Sequence, residues 1–216
     1  MSDAAPLLGP AGRPPQHLRI VLLGPSGAGK TRIFRSRLPG TTTAAAAAAP
    51  AATTQPDFCV CTTPLHGRAQ RLQLWDTPGA SRAASLPLLK GAHAAALVCS
   101  VLTPQGPAAL AQWLPAAATA NALHNSVPAA LVVVAHGAAA AAAASSSARD
   151  EARALAAAHG LPYLELDSAS DCEGLFAALG EAALRTHAQA RALQAPQEPP
   201  ASGSGSCACC PSCRTQ

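Results

Sequence analysis

The chain alternates short apolar runs with segments in which apolar residues recur at helical spacing. The apolar runs predict strands over residues 17–23, 58–63, 70–75, 94–102, 129–135 and 162–167. Helical spacing predicts helices over residues 30–37, 107–122, 148–159 and 173–193. Strands that alternate with helices are typical of an α/β fold, and Gly67 between the second and third runs favours an antiparallel hairpin there. We therefore predict a sheet of about six strands, mostly parallel, with helices on both faces.

The composition limits the class of protein. The chain has 216 residues and a net charge of +4, and this length suits one domain, which we place at residues 17–193. Residues 1–16 are a predicted disordered leader, and residues 194–216 a predicted flexible, Cys-rich tail. Aromatic residues make up 3% and charged residues 12%, which argues against a nucleic-acid partner. No run has the pattern of a signal peptide or a membrane span, so we expect a cytoplasmic protein. We also expect a monomer.

A phosphate-binding motif follows the first predicted strand. Residues 24–31, GPSGAGKT, match G-x-x-x-x-G-K-[ST] between a strand and a helix. Small residues let consecutive backbone amides surround a phosphate, Lys30 can reach the β- and γ-phosphates, and the Thr31 hydroxyl can ligate Mg²⁺. The alternative is a glycine-rich turn that only joins a strand to a helix. The predicted phosphate contacts are Gly24, Ser26, Gly27, Ala28, Gly29, Lys30 and Thr31.

A second motif, WDTPG, follows the third predicted strand at residues 75–79. Asp76 ends that strand, and ligands of α/β proteins bind at the carboxyl ends of the strands. A carboxylate there can hold Mg²⁺ through water, and the Gly79 amide can reach a γ-phosphate. The alternative is an ordinary turn at a strand end, which the phosphate-binding motif makes less favoured.

These two motifs, LGPSGAGKT and LQLWDTPGASR, resemble those of Rab/Ras-type small GTPases over residues 17–193. The resemblance implies the P-loop small GTPase fold, with GTP or GDP bound together with Mg²⁺. In TTQPDF, either Thr53 or Thr54 resembles the switch threonine that ligates Mg²⁺ in the triphosphate state, and the sequence leaves both open. Ser168, Ala169 and Ser170 resemble the S-A-K loop that touches the guanine base.

Two departures from the family pattern concern base recognition and hydrolysis. The N-K-x-D base motif should follow the fifth strand, but the chain has His136, Gly137, Ala138 and Ala139 there, so a preference for GTP over ATP is not assured. We keep His136 as a candidate base contact. Ala80 stands where the family usually has the glutamine that orients the attacking water, so no catalytic residue is predicted. We expect a slow GTPase that needs an activating partner.

The C-terminal tail carries four cysteines within seven residues. Cys213 is fourth from the end, as in a C-a-a-X prenylation box, although Arg214 and Thr215 are not aliphatic. The neighbouring cysteines could be palmitoylated and supply a second anchor. The alternatives are an unmodified tail and a four-cysteine zinc knot. The candidate lipidation sites are Cys213, Cys210, Cys209 and Cys207.

The resemblance implies a Rab-like switch in vesicle and intracellular membrane traffic, anchored to the cytosolic face of a membrane by a lipidated tail. Its partners would be effectors, exchange factors and activating factors. A weaker resemblance, in residues 24–25, 135–136 and 89–94, is to the Rab-like GTPases of intraflagellar transport. It implies a catalytically weak nucleotide-binding subunit of a transport complex, with the cilium as a further location. A nucleotide kinase or adenine-specific ATPase is disfavoured, because no arginine-rich lid follows residue 100.

Overall fold

Six strands form one sheet in the computed structural model, which describes residues 17–38, 51–137, 146–166 and 172–194. The strand order is β2-β3-β1-β4-β5-β6, and β2 alone runs antiparallel to its neighbour. The predicted mostly parallel sheet of about six strands is therefore confirmed. The strands are β1 (His17–Leu23), β2 (Asp57–Leu65), β3 (Arg68–Asp76), β4 (Ala94–Ser100), β5 (Ala130–His136) and β6 (Tyr163–Leu166).

Helices cover both faces of the sheet. They are α1 (Lys30–Arg35), α2 (Arg82–Ser85), a 3₁₀ helix (Leu86–Leu89), α3 (Gln105–Ala111), α4 (Leu114–His124), α5 (Ser146–Ala158) and α6 (Cys172–Gln194). The predicted tail therefore loses Gln194 to α6. The rest of the tail and the predicted leader lie outside the described residues.

One prediction of a single helix is wrong, since the segment forms two helices. Residues 107–122 do not form a single helix, because α3 ends at Ala111 and α4 begins at Leu114. Pro115 has no N–H to donate to a carbonyl one turn earlier, so a proline there ends one helix and suits the first turn of the next. At the break between the two helices, the backbone N–H of Trp113 donates to the Leu110 carbonyl at 2.8 Å, a bond between residues three apart.

The side chains of β1 alternate between two apolar layers, because successive side chains of a strand point to opposite faces of the sheet. Leu18, Ile20 and Leu22 pack with α1 and α6. Val21 and Leu23 pack on the other face with α3, α4 and α5. The central strand β4 is buried along most of its length. This two-sided burial fixes the carboxyl ends of β1, β3, β4 and β5 along one edge of the sheet.

The β2–β3 hairpin is closed by His66 and Gly67, which have positive φ values of 50° and 71°. Such a two-residue turn matches the twist of antiparallel strands. The register pairs Leu65 with Arg68 and Asp57 with Asp76, so the whole of β2 is paired on one side. The hairpin that Gly67 favours is therefore confirmed.

Within residues 17–38, 51–137, 146–166 and 172–194, no helix combines the length and apolar character that a membrane crossing requires.

Candidate nucleotide-binding site

The loop between β1 and α1 is shaped by three glycines with positive φ: Gly24 at 139°, Gly27 at 76° and Gly29 at 102°. L-residues with a Cβ rarely adopt these values. Gly24 also lies against β4, since a Cβ built there would stand 2.2 Å from the Val98 carbonyl oxygen. The loop can therefore turn tightly at the carboxyl end of β1 only because these positions lack side chains.

Lys30, the first residue of α1, is buried at 5% exposure beneath this loop. Its Nζ donates to the Gly24 carbonyl at 2.9 Å and to the Pro25 carbonyl at 2.8 Å. Burial lowers the pKa of its ammonium to about 8, and the charge of Asp76 opposes that shift. These two bonds hold the Lys30 ammonium group inside the loop, where it can contact a phosphate.

Three side-chain oxygens converge where α1 meets the end of β3. Thr31 Oγ1 donates to Asp76 Oδ2 at 2.7 Å, Thr53 Oγ1 donates to the same oxygen at 3.0 Å, and the two hydroxyls are 2.7 Å apart. Burial raises the pKa of Asp76, and the hydrogen bond from Thr31 is the larger of the two hydroxyl contributions that lower it. Asp76 Oδ1 is buried and has no hydrogen-bond partner among the described residues.

This corner fits Mg²⁺, which prefers oxygen ligands and keeps several of its waters. Thr31, Thr53 and Asp76 present hydroxyl and carboxylate oxygens, and the unpartnered Oδ1 adds an acceptor. Thr54 is exposed and makes none of these contacts, although it lines an adjoining cavity with Thr53 and Asp76. Of the two threonines that the sequence left open, the geometry therefore favours Thr53.

Gly79 lies directly against the phosphate loop. A Cβ built on it would stand 2.4 Å from the Ser26 amide nitrogen and 2.6 Å from Lys30 Nζ. The preceding segment is anchored by Thr77 Oγ1, which donates to the Leu22 carbonyl at 2.7 Å. The Gly79 backbone therefore borders the space into which the loop points. Ala80, the next residue, is exposed.

A cavity of about 320 Å³ lies in front of the loop. That volume is typical of a small-molecule site. It is closed by the loop on one side, by residues 51–53 on the second and by the ends of β4 and β5 on the third. Gly24 does not line it; its carbonyl accepts from Lys30 Nζ and its conformation shapes the loop. Its lining includes Ser26, Gly27, Ala28, Gly29, Lys30, Thr31, Thr53, Gly79 and His136.

His136, the last residue of β5, is buried at 7% exposure and lines the cavity beside the phosphate loop. Burial lowers the pKa of its imidazole, and the charge of Arg32 adds to that shift. Ser100 and Leu102, at the end of β4, line the same region and were not singled out from the sequence. The sequence could have indicated them, because they lie at and just after the end of β4, the strand next to β1. The candidate base contacts Ser168, Ala169 and Ser170, and the four tail cysteines, lie outside the described residues.

The comparisons with known proteins agree with this geometry. The model of the Ras family matches residues 19–186, from β1 into α6. No curated protein matches the chain. GTPases of this family generally bind GTP or GDP with Mg²⁺ and interact with regulators and effectors. The family match covers most of the chain, including the phosphate loop and the Thr31, Thr53 and Asp76 corner: the chain belongs to the Ras family and is a small GTPase-type nucleotide switch.

Proposed function

We propose that the protein is a Rab-like switch that binds GTP and GDP with Mg²⁺ and reports its nucleotide state to effectors in intracellular membrane traffic. The observation that carries the switch is the contact of Thr53 with Thr31 and Asp76, at 2.7 and 3.0 Å. Thr53 belongs to the segment that enters β2, whereas its two partners belong to α1 and β3. A ligand at this corner therefore fixes that segment to the body of the domain.

Gly79 supplies the second switch element. Its backbone lies against Ser26 and Lys30, so its position depends on what the phosphate loop holds. A γ-phosphate beside Lys30 would be reached both by the Gly79 amide and by the segment that carries Thr53. Its loss would release both segments, and effectors would distinguish the two states.

Hydrolysis by the isolated chain is proposed to be slow. Phosphoryl transfer depends on positioning the attacking water and on stabilising the developing charge. The exposed methyl group of Ala80 can neither donate nor accept a hydrogen bond, so it cannot orient that water. An activating partner would supply the missing group.

The Rab-like assignment and the membrane location rest on the sequence resemblance and on the tail. The WDTPG motif supports the Rab-like assignment, and the four terminal cysteines support prenylation and attachment to the cytosolic face of a membrane. Exchange factors, activating factors and effectors would be its partners.

A competition titration of GTP, GDP and ATP against the full chain with Mg²⁺ tests the nucleotide assignment. We expect GTP and GDP to bind and EDTA to weaken both. The advantage over ATP should be smaller than hydrogen-bond readout of guanine usually gives, because His136 and Ala139 carry no carboxylate. Absence of binding by all three nucleotides would overturn the proposal.

A second candidate function is nucleotide binding by the same fold with little GTP hydrolysis. The exposed Ala80 favours a catalytically weak nucleotide-binding subunit of a transport complex, such as intraflagellar transport. Single-turnover hydrolysis with and without a cell extract distinguishes the two: acceleration by the extract supports the cycling switch, and an unchanged rate supports the subunit.

A further inference from the structure

Two cysteines share one face of the edge strand β2. Cys59 and Cys61 are two residues apart, so their side chains point the same way. Both are half-buried, and both pack at the border of the apolar layer that contains α6. Val60 between them points outward and is 43% exposed.

The two thiols influence each other's ionisation. The neighbouring Cys59 thiol, a hydrogen-bond donor, lowers the pKa of Cys61 to about 7, and the same pairing raises the pKa of Cys59. The charge of Arg37 lowers both values, and the charge of Asp57 raises that of Cys59. The opposite shifts make Cys61 the thiol of the pair that ionises more readily.

Arg37 is held in place beside this pair. Its guanidinium lies 4.4 Å from the centre of the Phe176 ring, and its Nη1 is 3.3 Å from Glu173 Oε1. Its Nε is buried and has no hydrogen-bond partner among the described residues. The positive charge is thus fixed by α6. Cys99, by contrast, is fully buried, and its burial raises its pKa to about 12.

We propose that Cys59 and Cys61 form a redox modification site, at which a hydroperoxide oxidises Cys61 and the product closes to a disulfide with Cys59. This inference is independent of the proposed function. A metal site is less suited, because the described part of the chain contains no group of three or more Cys, His, Asp or Glu side chains able to hold an ion.

The chemistry takes place in two balanced steps. The Cys61 thiolate attacks one peroxide oxygen, an S–O bond forms, the O–O bond breaks, and the leaving oxygen takes a proton to become water or an alcohol. Sulfur loses two electrons and the peroxide gains them. The Cys59 sulfur then attacks the sulfenic sulfur, the S–S bond forms, the S–O bond breaks, and hydroxide leaves as water with the Cys59 proton.

The strand must contract for the bond to close. Residues two apart in an extended strand have Cα atoms about 6.7 Å apart, at the upper end of the range that disulfides span. β2 is an edge strand paired only with β3, so it can yield on its free side. A strained disulfide is readily reduced, which suits a reversible switch. Its closure would disturb Phe58, whose ring stacks on Trp75 at 4.9 Å.

The experiment is a peroxide titration of the full chain, followed by alkylation of the remaining thiols, trypsin digestion and mass spectrometry. The peptide spanning residues 38–68 contains Cys59 and Cys61 and no other cysteine, so an internal disulfide is read as the loss of two hydrogen atoms and resistance to alkylation. We expect this product first, before modification of Cys99 or Cys172, and reversal by dithiothreitol. A peptide that stays reduced while tail cysteines are oxidised would overturn the proposal.

Two variants separate the roles of the two thiols. Cys59→Ser should leave Cys61 as a sulfenic acid that a dimedone probe labels, whereas Cys61→Ser should leave Cys59 unlabelled. Arg37→Met should slow formation of the disulfide several-fold at neutral pH, and Arg68→Met, an exposed residue of β3, should not. Equal labelling of the two single variants would overturn the assigned order of attack.

Discussion

The imidazole of His136 lies against the backbone of Gly29: a Cβ built on Gly29 would stand 2.8 Å from both Cγ and Nδ1 of that ring. The contact joins the end of β5 to the phosphate loop, so these two parts of the cavity lining pack directly on each other. Gly29 also has a φ of 102°, which L side chains rarely adopt. Both the conformation and the contact therefore require glycine.

Gly29→Ala should accordingly destabilise the fold and abolish nucleotide binding. The backbone strain costs about 1–2 kcal/mol, and the collision adds about 1–3 kcal/mol. Gly160→Ala is the matched control, because Gly160 has a φ of 62° and no atom within 4 Å of its built Cβ. Denaturant unfolding should show a larger loss of unfolding free energy for Gly29→Ala than for Gly160→Ala. The cost of Gly29→Ala should be smaller when it is measured in a His136→Ala background, which removes the ring. Equal losses in the two single variants would show that the ring contact is unimportant.

Lys30→Ala should reduce nucleotide affinity by roughly 10²- to 4 × 10³-fold, since removal of one partner from a buried charge contact costs about 3–5 kcal/mol. Lys90→Ala changes the net charge equally at an exposed position and should leave affinity unchanged. Fluorescent-nucleotide titration measures both. Unaltered affinity in Lys30→Ala would remove the basis for the phosphate-loop assignment.

Thr53→Ala and Thr54→Ala form a matched pair. Thr53 Oγ1 contacts Thr31 and Asp76, whereas Thr54 is exposed. Loss of the Thr53 hydroxyl should weaken Mg²⁺-dependent GTP binding by about tenfold or more, with a smaller effect on GDP. Thr54→Ala should bind both nucleotides as the wild type does. The reverse pattern in a magnesium titration would assign the switch role to Thr54.

Whether a feature of this site could be predicted from the sequence depends on how far apart in the chain the contacting residues are. The loop at residues 24–31 and Asp76 were predictable, because each is a local pattern at the end of an apolar run. The choice between Thr53 and Thr54 was not, because it depends on where β2 begins and how it pairs with β3. The packing of His136 on Gly29 was also beyond reach, since it joins two elements that only the sheet order brings together. The break before Pro115 could have been predicted from the proline alone.

Acid should destabilise the protein through His93. Burial lowers the pKa of this imidazole to about 4, with contributions from the charges of His187 and Arg19. Its Nδ1 accepts a hydrogen bond from the backbone N–H of Arg19 at 3.0 Å, and protonation of Nδ1 breaks this bond. The unfolded chain, with an ordinary pKa near 6.5, binds more protons between about pH 4 and 6.5. Stability should therefore fall as the pH falls through that window, with a slope below one proton.

His93→Asn keeps an acceptor and removes the titration, so its unfolding free energy should vary less between pH 6.5 and 4 than that of the wild type. His124→Asn, at an exposed position near the end of α4, should retain the wild-type slope. Urea unfolding at several pH values measures the slopes. An unchanged slope in His93→Asn would assign the acid sensitivity to other groups.

Ala80 sets the expected rate of turnover. It follows Gly79, whose backbone borders the phosphate loop, and its methyl group is exposed and unable to orient water. Intrinsic GTP hydrolysis should therefore be on the order of 10⁻⁴ s⁻¹ or slower. Ala80→Gln should raise the rate, because an amide next to Gly79 can position the nucleophile, whereas Ala83→Gln, at an exposed site in α2, should not. Single-turnover phosphate release from the purified chain measures all three. A wild-type rate of about 1 s⁻¹ without a partner, far above the slow intrinsic rates of such GTPases, would mean that another residue orients the water and that Ala80 does not occupy the catalytic position.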